Sequence, residues 1–394
     1  MRNGMTLSEE QTNAFNLMRE GKNIFLSGKA GSGKSYLLSA YCEQAQCNGK
    51  KVAVTASTGI AAHLLSGRTI HSLLKYRPGM NTKNCDFRSK AEDLTDIDIL
   101  IIDEISMLNG KMLQYIYNCC REIDKELQVI VTGDFFQLPP VHGNYAFESD
   151  AWQSFGFIPC IMNTVHRQNN YEFIKNLNKA RYGDPSCLSY FIKNTSRNKI
   201  KDGIYMCARN DEADQINERA RNRLSGPEES YYARYAGKID FDKTQFEDVL
   251  LLKKGLRVMT LINDYCGAYQ NGSMGTVVDM SKDAVTVLLD NGNEINVGYY
   301  RIKMDREDSD QQTDFYQIPL RPAHAITIHK SQGQTFESAN ILACNCKSYG
   351  QLYVALSRCK TIENMYLEID GPRNLVASYK VKQFYDKQNI AANY

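Results

Sequence analysis

Residues 23–35 read NIFLSGKAGSGKS: an apolar run that ends in a glycine-rich turn and passes into a helical pattern. A short strand that is apolar on both faces belongs inside a covered parallel sheet. The turn after it, GKAGSGKS at 28–35, has the spacing G-x-x-x-x-G-K-[ST]. Glycines so placed let the backbone curl until its N–H groups point at phosphate oxygens, and the helix that follows adds positive potential at its N-terminus. Gly28, Ala30, Gly31, Ser32, Gly33, Lys34 and Ser35 are therefore candidate ligands of a nucleotide such as ATP. Lys34 is placed to reach the β- and γ-phosphates, and the Ser35 hydroxyl to bind Mg2+. The alternative, a glycine-rich turn without ligand, does not explain the strand before it and the helix after it.

Outward from this stretch, KVAVTA (51–56), IDILIID (97–103) and LQVIVTG (127–133) are further apolar strands separated by helical patterns. Together they predict a doubly wound parallel α/β lobe over residues 1–160. The pattern restarts with a strand at 203–208 and a helix at 211–224. Strands at 339–343 and 365–369 around a helix near 349–357 complete a second lobe, 161–247 with 313–394. Residues 248–312 differ: short β-rich runs are punctuated by NG at 271–272 and DNG at 290–292, a hairpin signal that predicts a small barrel-like insertion. Residues 77–92 are polar and aperiodic and form an excursion from the first lobe.

The 394 residues, 43% hydrophobic and 23% charged, suit two to three globular domains. No apolar run approaches the length of a membrane span, and the N-terminus lacks the layout of a secretion signal. Twelve cysteines are scattered without a CxxC pair, which points to a reducing, intracellular setting, cytoplasmic or nucleoid-associated; Cys344, Cys346 and Cys359 are the one weak zinc alternative. A net charge of +2 means that any surface for nucleic acid is a local groove.

Asp103 and Glu104 end the strand at 97–103, where the carboxyl edge of a parallel sheet faces its ligand crevice. Asp103 is a candidate for holding Mg2+, and Glu104 for orienting or deprotonating the attacking water. An acidic pair at that place is otherwise a helix cap. Gln137, in GDFFQLPP (133–140), offers an amide to the γ-phosphate or the water. Arg167, in VHRQ (165–168), and Arg358, in YVALSRCK (353–360), are candidates for cations that couple hydrolysis to lobe movement, although a lone arginine is usually a solvated surface residue. Trp152 reads as core.

These strings, in this order, resemble the superfamily 1B helicases, especially the PIF-like group with its relatives Dda and RecD; the likeness runs over roughly residues 6–370. The resemblance implies two RecA-like P-loop lobes with a small SH3-like insertion in the second, Mg2+ and ATP, and 5′→3′ unwinding of DNA driven along a single strand. Its partners would be single-stranded DNA and duplex junctions, in replication, repair or recombination. LSEEQ (7–11) is similar to the Q motif, in which Gln11 would read the adenine edge, and Gly333, in ITIHKSQGQT, falls among the nucleotide-facing residues. ASTGIAA (56–62) and TIHS (69–72) are similar to first-lobe strand-contact motifs and supply Thr58, Thr69 and His71; the later motif supplies Thr327, His329 and Lys330. Each histidine is otherwise a structural one. The excursion at 77–92 occupies the place of the family's separating pin, with Phe87 its only aromatic; a ring tucked onto its own lobe is the alternative to a wedge. The mix SYYARYAGK at 230–238 reads as stacking surface or as packing. The segment after DEIS lacks the arginine-rich signature of eukaryotic members.

Two other classes fit less of the sequence. A small-molecule P-loop kinase leaves the second lobe and Arg358 unexplained, and a non-catalytic DNA-binding module leaves the intact Lys34, Asp103 and Glu104 without purpose. A single-strand translocase that unwinds poorly, or one acting on RNA, shares the same mechanism. One chain carries both halves of the nucleotide site, so a monomer can work without an obligate protein partner.

Overall fold

In the computed structural model the described residues are 7–56, 68–76, 85–237, 239–241, 244–264, 266–305 and 312–388. They fall into two compact units, Met1–Gly203 with Ser331–Tyr394, and Ile204–Lys330.

The first unit is built on a six-stranded parallel sheet. Its strands are β1 (Ile24–Gly28), β2 (Val52–Ala56), β3 (Arg68–Thr69), β4 (Ile99–Asp103), β5 (Gln128–Gly133) and β6 (Ile158–Met162), in the order β3-β2-β4-β5-β1-β6. Alternation along each strand sorts the apolar side chains onto two faces. Ile24, Leu26, Ile99, Ile101 and Ile130 pack under helices α1 (Glu9–Arg19) and α2 (Lys34–Cys47). Phe25, Leu100, Ile102, Val129 and Val131 face helix α3 (Gly110–Arg121) and Trp152. Both faces are covered, which is why these strands read as unbroken apolar runs. Each such side chain contributes about 1.5–3 kcal/mol on burial.

The helix Tyr379–Lys387 packs on the first sheet. Val381, Phe384 and Tyr385, spaced as one helical stripe, lie in the core under β1 beside Phe25 and Trp152. Tyr385 Oη shares a 2.7 Å hydrogen bond with Ser27 Oγ, and the Phe384 ring stacks on Phe147 at 4.3 Å. Residues 161–203 and 331–394, assigned from sequence to a second lobe, are grouped in the first compact unit. Helix α4 (Tyr171–Arg181) belongs there too, through its buried Arg181. The strands Ala339–Leu342 and Met365–Glu368 pair in parallel within this same unit.

In the second unit, Ile204–Cys207 pairs in parallel with Ala325–Thr327, and the Asn217 side chain clasps both backbone groups of Ala325 at 2.8 and 2.9 Å. A five-stranded antiparallel sheet forms the rest of its centre, in the order 294–298, 284–289, 274–280, 257–260 and 320–322. The DNG turn at 290–292 joins two of these strands as its sequence predicts, with Gly292 at φ +87. The β-rich body is longer than the predicted 248–312. Its fifth strand is Leu320–Pro322, and Val249–Leu252 pairs with Glu229–Tyr232. That early strand exposes all but Tyr231, so its composition gives no buried-strand signal. Among the described residues no helix is long and apolar enough to cross a membrane.

Candidate nucleotide site and strand-contact segments

The phosphate loop leaves the carboxyl end of β1 and enters α2 through Gly33, at φ +81. A Cβ at Gly33 would stand 2.7 Å from Gln11 Nε2, and one at Gly31 would stand 2.5 Å from Arg167 Cβ, so side chains are excluded from both positions. Lys34 Nζ donates to the carbonyls of Gly28 and Lys29 at 2.8 and 3.0 Å. Burial holds its pKa below the usual lysine value, while the charges of Asp134, Glu104 and Asp103 pull it the other way.

Above the loop is a cavity of about 330 Å3 lined by Ala30, Gly31, Ser32, Gly33, Lys34, Ser35, Asp103, Glu104, Gln137, Arg167, Gly333 and Arg358. Twelve of the residues read from sequence thus meet in one place. Tyr36 and His166 line it as well and were not singled out, although His166 lies inside the quoted string VHRQ. Two buried polar atoms with no partner among the described residues, Ser32 Oγ and Gln137 Oε1, suit a ligand that brings its own hydrogen-bonding groups.

At the end of β4, burial and then the neighbouring charge of Glu104 push the Asp103 carboxyl up to about 7. Glu104 occupies the left-handed region, φ 52 and ψ 46, a conformation rare for a side-chain-bearing residue and frequent at functional sites. The Gln137 loop is fixed from the far end of the chain. Gly350, at φ +69, begins the helix Gln351–Leu356, and a Cβ there would lie 2.2 Å from the Phe136 carbonyl oxygen.

Arg167 Nη1 donates to the Ser357 carbonyl at 3.1 Å. Arg358, 2% exposed, is bonded through Nε to Val354 O and through Nη2 to Ser357 Oγ. Burial, with the charge of Arg167 second, lowers its pKa to about 10. Both arginines read from sequence therefore border the cavity, each held by backbone carbonyls or hydroxyls rather than by a carboxylate.

Two of the predicted ligands stand elsewhere. Gly28 lies behind the cavity wall, with Met162 O 2.5 Å from where its Cβ would be. Gln11 is buried and its Oε1 accepts from Ser8 N–H at 3.0 Å, closing the cap of α1, while its Nε2 lies beside Gly33.

The strand-contact residues are dispersed. Thr58 lies outside the described residues. Thr69 ends β3, and His71 follows on a one-turn helix, its ring 5.6 Å from that of Tyr76. In the second unit Thr327 is buried, and its Oγ1 accepts from Lys330 N–H at 3.4 Å. Burial lowers the pKa of both His71 and His329, so both imidazoles are neutral near pH 7 and offer hydrogen bonds rather than charge. Lys330 is brought down to about 8 by burial, with Arg321 second.

Phe87 takes the tucked place that the sequence reading sets beside the wedge. It sits on a single helical turn, Phe87–Lys90, and its ring packs 5.5 Å from Tyr115 against the first unit's core. The ring is committed to its own lobe because an apolar shelf is within reach; residues 77–84 of the excursion lie outside the described residues. In the Tyr-Arg mix, Tyr231 is core while Tyr232 and Tyr235 are exposed. Trp152 is buried, as read.

A parallel sheet carrying its phosphate loop at the carboxyl edge of one strand, its acid pair at the end of another and cations from later segments is the architecture of the RecA-like P-loop nucleotidases. The model of the family described as PIF1-like helicase matches residues 6–184. The ATP-dependent DNA helicase Pif1 of Bdellovibrio bacteriovorus is 32% identical over 96% of this chain and 91% of that one. The Xenopus laevis PIF1 helicase is 30% identical over 96% of this chain and 64% of its own length. Among solved structures, a Bacteroides Pif1 helicase with ADP-AlF3 and single-stranded DNA is 31% identical, with a TM-score of 0.81 over 99% of both chains. Pif1 of Candida albicans gives 0.87 at 27% identity, over 98% of this chain and 100% of that one. The chain belongs to the PIF1-like helicase family, and its fold is that family's two-lobed RecA-like one.

Proposed function

We propose that this protein is an ATP-dependent DNA helicase that moves 5′→3′ on single-stranded DNA and opens duplexes ahead of it. The observation that carries the reading is one cavity in which Lys34, Glu104 and Gln137 are joined by Arg167 and Arg358. Lys34 and the loop amides bind the phosphates. Glu104 orients and deprotonates the attacking water, with Gln137 beside it. Arg167 and Arg358 offset the charge that develops on the transferred phosphoryl group, a contribution worth several kcal/mol in a water-poor site.

The Ser35 hydroxyl and the Asp103 carboxyl are hard oxygen donors on the same wall, the set that suits Mg2+. A carboxyl whose proton affinity is raised by burial is one that a divalent cation would return to its charged form. When bound, that ion would neutralise charge on the β- and γ-phosphate oxygens. Thr58, Thr69 and His71, and Thr327, His329 and Lys330, are the proposed phosphate contacts. Donors without base-edge readers suit a grip indifferent to sequence. Lys34, Glu104, Arg167 and Arg358 belong to one chain, so hydrolysis by a single copy is the simpler reading, while one Pif1 relative is described with two coordinating copies at forked DNA.

Replacing Glu104 with Gln tests the chemistry. Nucleotide and strand binding persist, and turnover falls by about 10²–10⁴-fold; turnover retained within a few-fold would remove Glu104 from the role.

A further inference from the structure

The segment Thr327–Lys330 runs straight into a tight turn, Ser331–Gln334, and the Lys330–Ser331 peptide bond is where the chain passes from the second compact unit to the first. The turn is closed by Gln334 N–H donating to the Ser331 carbonyl at 3.1 Å, with Gly333 at φ +78. Arg358 Nη1 reaches the carbonyls at both of its ends, at 3.5 Å on Ser331 and 3.3 Å on Gln334. From this braced turn Gln332, 5% exposed, donates through Nε2 to Glu104 Oε2 at 2.8 Å.

The carboxylate of Glu104 is thus aimed from two ends. Its backbone is held in the left-handed region at φ 52, and its tip is tied to an amide 228 residues away in sequence. The other end of that amide, Gln332 Oε1, is buried and has no donor among the described residues, so it remains an acceptor beside the base. Positioning of this kind is sensitive, because a general base displaced by a fraction of an ångström loses most of its effect.

We infer that Gln332 is a positioning residue for Glu104, setting where the carboxylate meets the attacking water. The inference rests on the proposed role of Glu104. Arg358, bonded to both ends of the turn, keeps the amide in place.

Steady-state ATPase of Gln332→Ala and Gln332→Met, at a saturating thymidine oligonucleotide, tests this. The alanine variant removes the donor, and the methionine variant keeps most of the volume while losing it. Both are expected to lose about tenfold in kcat, the loss of one charge-assisted hydrogen bond. KM for ATP and oligonucleotide affinity stay within about twofold. A kcat preserved in both variants, or a loss carried mainly by KM, would overturn the inference. Adding Gln332→Ala to Glu104→Gln separates this from the base assignment. No further loss is expected if Gln332 acts through Glu104, and a multiplied loss contradicts it. Retained turnover in Glu104→Gln alone would instead strike at the base itself.

Discussion

Arg181 donates two hydrogen bonds of 2.8 Å, from Nε and Nη2, to the two carboxylate oxygens of Asp134, and both side chains are sealed from solvent. The pair ties the end of α4 to the loop that carries Gln137, and the guanidinium lies over the Phe136 ring at 4.4 Å. A buried ion pair of this geometry matters most when it is broken on one side only, because the remaining charge is left without a partner. Arg181→Met is therefore expected to lower stability by about 3–5 kcal/mol, read from denaturant unfolding. Asp134→Asn on the same background should recover a large part of that. A single variant within about 1 kcal/mol of the parent would show that the pair is dispensable.

Tyr353 provides the next test. Its hydroxyl accepts from the Ala30 N–H at 3.0 Å and faces Asp134 Oδ2 at 3.4 Å, so a residue of the helix that leads to Arg358 holds the phosphate loop directly. Burial pushes the phenol's pKa well above its usual value, which keeps it protonated at any working pH. Tyr353→Phe strands a buried N–H, at about 1–3 kcal/mol. Weaker nucleotide binding with an unchanged strand affinity is the expected pattern, measured by titration with a fluorescent nucleotide. Unchanged nucleotide affinity would mean that the loop keeps its shape without the bond.

How far the sequence carried the account depends on whether the signal was local. The phosphate loop, the acid pair and the strands β1, β4 and β5 were legible because each states its role within a few residues: a glycine spacing, a carboxylate at a strand end, an unbroken apolar run. The Asp134–Arg181 pair, the Tyr353–Ala30 bond and the Gln332–Glu104 bond join residues 47, 323 and 228 apart. Nothing in the neighbourhood of either partner announces them. The packing of the terminal helix is illegible for the same reason: a stripe of Val381, Phe384 and Tyr385 says that a face is buried, not against what. Phe87 is open for a different reason: a lone aromatic in a polar stretch is consistent with a wedge and, more readily, with a ring lying on its own lobe, here on Tyr115.

Lys330 gives a pH dependence with a definite sign. Arg321 faces it with like charge and Asp214 and Glu247 with opposite charge, and burial brings its pKa down to about 8. Below pH 8 it is charged and donates to phosphate; above pH 8 it becomes neutral and that contribution is lost. Strand affinity should therefore weaken between about pH 7 and 9. Lys330→Gln should bind weakly with little slope across that range, measured by fluorescence anisotropy at fixed salt. Stability moves the other way. The unfolded chain holds this proton up to the ordinary lysine value of 10.5, so the penalty for the charged form, present below pH 8, is relieved as pH rises between the two values. An unaltered pH slope in Lys330→Gln would exclude Lys330 as its source.

The central claim is that hydrolysis in the Lys34–Glu104 cavity drives movement along single-stranded DNA in one direction. The direct measurement is ATP-dependent unwinding of matched DNA duplexes bearing either a 5′ or a 3′ single-stranded tail, with ATPase recorded on each and on an RNA strand, and Lys34→Ala as control. The account predicts unwinding from the 5′ tail, ATPase stimulated by the DNA strand, and neither activity in the control. Unwinding from the 3′ tail alone, or an ATPase rate indifferent to single-stranded DNA, would contradict it.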